Sequence, residues 1–73
     1  MSNQQTYTGK KLLAILKKLG FEEIRIKGSH HYIRHEDGRS SVVPVYPNED
    51  IGIGLLLKIL KDIEISKEDL EKH

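Results

Sequence analysis

Leu12, Leu13, Leu16 and Leu19 recur at helical spacing with Ile15 beside them, so one apolar stripe runs through a helix from about Gly9 to Leu19. Thr8 can cap its start, and Gly20 supplies a left-handed stop directly after it. Lys17 and Lys18 fall in the last turn, where the helix dipole favours cations. The period then changes to that of a strand. Phe21 to Lys27 alternates, with Glu22, Ile24 and Ile26 on one side and Glu23, Arg25 and Lys27 on the other, which predicts a half-buried strand. Gly28-Ser29 is a tight turn. His30 to His35 alternates again: His31, Ile33 and His35 share one face, and His30, Tyr32 and Arg34 the other. Asp37-Gly38 is a hairpin signal, and Ser40 to Tyr46 reads as a third strand with Val42, Val43 and Val45. Pro44 lacks an amide donor, which puts that strand at a sheet edge or bulges it.

Pro47-Asn48-Glu49-Asp50 breaks the strand. A second helix follows from Gly52 or Gly54 to Ile63, with Leu55, Leu56, Ile59, Leu60 and Ile63 as its buried stripe. Ser66 and Asp69 resemble a capping box that opens a short final helix to about Lys72. Residues 1–7 have neither charge nor apolar period and are expected to form a flexible tail, leaving residues 8–73 as a single domain. The expected fold is α+β: an α-β-β-β-α order with a three-stranded antiparallel sheet and a short C-terminal helix. Both stripes can be buried by placing the helices on one sheet face. The other face then stays open and carries side chains from all three strands.

At 73 residues the chain has room for one thin core. It has no cysteine, which excludes disulfides, thiolate metal sites and cysteine nucleophiles. No apolar run approaches the roughly 20 residues of a membrane span, and the N-terminus shows no secretory pattern, so no membrane partner and a cytoplasmic location are expected. The net charge of +1 hides an asymmetry. Residues 8–35 hold seven basic and two acidic residues, whereas residues 36–73 hold five basic and nine acidic ones. The first part can meet a polyanion while the second is repelled from it.

Three of the four histidines fall in residues 30–35. Strand alternation sends His30 to one face and His31 and His35 to the other, so they cannot converge on one ion, and no metal site is expected. Ser29 is too close in sequence to His30 for a nucleophile–base pair, and no third partner is evident. Histidine as proton carrier remains. His30 opens a strand after a glycine turn, shares a face with Tyr32 and Arg34, and has Lys27 across the turn. Cations that hold a phosphate beside an imidazole suit a phosphodiester. An exposed strand histidine without a role fits the spacing as well. His31 and His35, on the face of Ile33, read as edge-of-core residues.

The stretch Thr8 to Leu70 resembles the HicA (YcfA-like) family of mRNA interferase toxins from type II toxin–antitoxin systems. Gly9 to Phe21 resembles the opening helix that ends in Gly-Phe, and Lys27-Gly28-Ser29-His30-His31 resembles the Gly-Ser-His signature after a basic residue. Asp37-Gly38-Arg39, Val43-Pro44-Val45 and Gly54 to Leu60 match in register further along. The resemblance implies a fold like that of double-stranded-RNA-binding domains. It implies mRNA cleavage with His30 as the catalytic residue and neutralisation by a HicB-like antitoxin; no cofactor is expected. Lys27, Gly28, Ser29, Tyr32 and Arg34 are the expected RNA contacts beside it. Two positions depart from the family pattern. Tyr46 stands where many members carry a histidine, and Gly54-Leu55-Leu56-Leu57 where many carry Gly-Thr-Leu-Arg. A non-catalytic RNA-binding module of the same fold is the alternative. In the catalytic reading His30 acts as base on a ribose 2′-hydroxyl or as acid for the leaving 5′-oxygen, with Tyr32, Lys27 or water assisting.

Overall fold

The computed structural model describes residues 5–73. Helix α1 (Gly9–Lys18) is capped as expected: Thr8 Oγ1 accepts the Lys11 amide at 3.1 Å. Leu12, Leu13, Ile15 and Leu16 turn into the core. Gly20, with φ +100°, turns the chain out of the helix. The first turn of α1 lies against the chain just after the third strand, because a Cβ on Gly9 would sit 2.8 Å from Val45 Cα. Only glycine permits that approach.

Strands β1 (Phe21–Lys27), β2 (His30–His35) and β3 (Ser40–Pro44) form one antiparallel sheet in the order β1-β2-β3. The α-β-β-β-α order is the expected one, and Pro44 does sit on an edge strand. β3 stops at Pro44 rather than Tyr46. Between Glu23 and Arg25 the register of β1 shifts, and this overturns its expected alternation. The extra residue, Ile24, exchanges the two faces on either side of it. Glu23 therefore stands opposite Ile33 on the helix side, and Arg25 opposite Tyr32 on the other. Ile24 and Ile26 are 57% and 58% exposed, so neither anchors β1. α1 crosses the sheet from the end of β3 to Glu23, where Lys17 pairs with the carboxylate at 3.4 Å, and leaves the Ile26 corner uncovered.

Helix α2 (Ile53–Asp62) and the short α3 (Lys67–Glu71) complete the chain, with Ser66 Oγ accepting the Asp69 amide at 3.0 Å as the capping pattern predicts. Leu12, Leu16, Phe21, Ile33, Val43, Leu56, Ile59, Ile63 and Leu70 form one core between the sheet and the helices. Fully burying each such side chain favours folding by about 1.5–3 kcal/mol. Two expectations fail here. Tyr7, assigned to the tail, is only 1% exposed, and its carbonyl accepts the Ile51 amide at 2.7 Å. Its ring gives the small core an aromatic that no periodic pattern marks. Leu55, assigned to the buried stripe, is 42% exposed, because α2 lies along β3 and turns this residue past the sheet edge. Among the described residues no helix is long and apolar enough to cross a membrane.

Candidate active site

The β1–β2 turn fixes the start of β2. Gly28 adopts φ +59°, a left-handed conformation that costs glycine little. The Ser29 carbonyl accepts the Val45 amide at 2.7 Å and ties the turn to the end of β3. His30 is thereby set in the middle of three strands, paired with Lys27 on β1 and Pro44 on β3, and its side chain is exposed. Tyr32 follows on the same face between Arg25 and Val42, with the Arg25 guanidinium 5.9 Å from its ring centroid. Arg34 comes next between Glu22 and Ser40.

His30 opens into a groove of about 330 Å³. Val42 and Pro44 of β3, with Tyr46 just after the strand, form one wall, and Leu55, Lys58, Ile59 and Asp62 of α2 the other, with Ser41 beside Asp62. Because α2 straddles the β3 edge, this half of the outer face is not open as expected but walled. At the end of the groove marked by Ser41, its hydroxyl donates to Asp62 Oδ2 at 3.2 Å, and Lys58 Nζ lies 3.5 Å from the same oxygen.

Of the residues expected to contact RNA, the fold places Lys27, Gly28 and Ser29 immediately around His30. Tyr32 and Arg34 share its face but lie about 7 Å and about 13 Å along the strand, by a rise of ~3.3 Å per residue. Arg34 belongs to the far end, near Glu36 and outside the groove. Sequence reasoning did not bring Lys58 or Asp62 to His30. Their spacing marks a pair on one helix face but carries no information about the strand that faces it. Tyr46 stood out only as a departure from the family pattern, and Leu55 as one that was also expected to be buried.

The other two histidines of β2 are occupied structurally, as their face predicts. His31 Nδ1 lies 2.9 Å from Glu23 Oε2 on the helix side. The hydrogen bond from His31, with help from Lys17 and against the cost of burial, holds the Glu23 carboxyl below the usual range. His35 packs edge-on against Phe21 with centroids 5.1 Å apart, and its Nδ1 accepts the Asp37 amide at 3.2 Å. Arg39 holds the Asp37 carboxyl below its ordinary value, first through its backbone amide and then through its guanidinium. Among the described residues no three His, Asp or Glu side chains gather where they could hold a metal ion.

Among curated proteins, none matches the chain. The family model described as the HicA toxin of bacterial toxin–antitoxin matches residues 9–65, a stretch that contains the turn, all three strands and α2.

Proposed function

The chain belongs to the HicA toxin family, and on that premise we propose that it is a cytoplasmic mRNA interferase whose catalytic residue is His30, held in check by a HicB-like antitoxin. The observation that carries this reading is the position of His30. It is exposed, seated on the central strand, paired with Lys27, and at a groove large enough for part of a nucleotide. Lys27, the cross-strand partner of His30, supplies a point charge for the phosphate in this reading, and Gly28 adds no side chain to obstruct its approach.

The chemistry needs no cofactor. The ribose 2′-oxygen attacks phosphorus while His30 takes its proton; the P–O5′ bond breaks, leaving a 2′,3′-cyclic phosphate and a 5′-hydroxyl. The leaving oxygen needs a proton from a second donor, since one imidazole cannot give and take in one step. Lys27, the cross-strand partner of His30, and water are the expected donors; Tyr46, which lines the groove where Tyr32 does not, is a further one. Such acid–base help is worth typically ~10²–10⁴-fold.

Labelled RNA incubated with the protein in excess chelator tests the reading. Cleavage by the wild type that is lost in His30→Ala, together with growth arrest on expression that the variant abolishes, is the expected result. Equal cleavage by the variant counts against His30. Salt-dependent RNA retention with no cleavage by the wild type favours the non-catalytic RNA-binding module instead.

A further inference from the structure

The groove beside His30 has a polarity that a phosphate site alone does not require. His30 and Tyr46 stand at one end, and Asp62 with Ser41 and Lys58 at the other. Between them Val42, Pro44, Leu55 and Ile59 make two apolar walls. Its length is that of three residue steps of β3 (Ser41 to Pro44) and seven of α2 (Leu55 to Asp62), about 10 Å by either rise. Resting on the reading of His30 as the catalytic residue, we propose that this groove seats the nucleobase next to the scissile phosphate, and that Asp62 selects a base bearing an exocyclic amino group.

The apolar walls suit the two faces of a base, and exposed Tyr46 offers a ring for stacking at the ribose end. The Asp62 carboxylate is already oriented: Ser41 and Lys58 both engage Oδ2, and among the described residues Oδ1 takes no hydrogen bond. A carboxylate accepts from the amino groups of cytosine, adenine or guanine. Lys58, beside it, can donate to the unprotonated ring nitrogen adjacent to that amino group. Uracil offers a single N–H flanked by two carbonyl oxygens, which face a carboxylate unfavourably. A hydrogen bond to a charged acceptor that one base makes and another cannot is worth about tenfold or more.

The test pairs binding with cleavage. Nucleoside 3′-monophosphates are titrated into the full chain and followed by amide NMR shifts. Short RNAs that differ only at the base beside the cut are cleaved in parallel. The expected result is shifts at Val42, Tyr46, Leu55 and Lys58, with 3′-UMP about tenfold weaker than 3′-CMP, 3′-AMP or 3′-GMP. Asp62→Asn should erase the discrimination against uracil, and Leu55→Asp, at an exposed position that leaves the core intact, should weaken every nucleotide at least tenfold. If RNA is cleaved but both variants keep the wild-type rate and base preference, the subsite is wrong and the catalytic reading stands. If no RNA is cleaved while nucleotides still bind in the groove with that preference, the catalytic reading is wrong and the base site stands. Loss of antitoxin binding in Leu55→Asp with cleavage and base preference unchanged makes the groove a protein-docking site and overturns the proposal.

Discussion

His30 and His31 are successive residues of one strand with opposite situations. His30 faces outward between Lys27 and Pro44 at the mouth of the β3–α2 groove. His31 faces the helix side, where Glu23 meets it at 2.9 Å and Lys17 in turn meets Glu23 at 3.4 Å. The strand's two-residue period is what separates them. One imidazole is left with access and a neighbouring cation, and the other is absorbed into a hydrogen-bonded cluster. A shift of one residue in β2 would exchange them, so the turn at Gly28-Ser29 that fixes the register is as important to the site as the histidine itself.

The largest effect expected from this contrast is in His30→Ala. Cleavage should fall by about 10²–10⁴-fold, while stability in a thermal melt changes by less than about 0.5 kcal/mol, since an exposed side chain leaves no cavity. A melt showing an unfolded variant would break the comparison outright. Next is salt. If Lys27, Arg25 and Arg34 each neutralise one phosphate, a slope of about −0.7 per contact weakens RNA binding about twentyfold between roughly 50 and 200 mM salt. Filter binding of Lys27→Ala should show the slope reduced by about 0.7, whereas Lys17→Ala, engaged with Glu23 on the opposite side, should leave it alone.

A smaller and inverted effect is expected of His31→Ala: about 1 kcal/mol of stability lost with its hydrogen bond, and cleavage retained within a few-fold. Abolished cleavage in a folded His31→Ala protein would mean that the roles are reversed. The smallest effect concerns pH. The Glu23 carboxyl is held below its usual range in the fold, so its contribution is present above about pH 4.3, the ordinary glutamate value, and is lost as pH falls through and beneath it. Urea melts in acid should show wild type losing up to about 1 kcal/mol more than Glu23→Gln over that window. Parallel curves would show that the His31–Glu23 contact contributes nothing.

Much of this site was readable from local pattern. The helix stripe through Leu12 and Leu16, the glycine turn, and the alternation that parted His30 from His31 all depend on neighbours within a few residues. Their physics is short-ranged: backbone period, glycine's access to positive φ, and capping oxygens such as that of Thr8. The bulge at Ile24 was not readable, because an inserted residue is defined by the partner strand it fails to match. Nor was Tyr7, whose burial depends on Ile51, which lies far along the chain.

What the sequence determined by itself is thus the order of elements, the confinement of Pro44 to an edge or a bulge, and which histidine of β2 meets solvent. What only the tertiary structure decided is what that histidine faces. α2 packs along the edge of β3 because Leu56, Ile59 and Leu60 must be buried in a core too thin to cover the whole sheet. That packing swings Leu55, Lys58 and Asp62 around to the side of His30 and makes a groove where strand alternation alone leaves an open face. Residues separated by some 25 to 32 positions in the chain have no local pattern to connect them. Only the requirement to close one hydrophobic core brings them together.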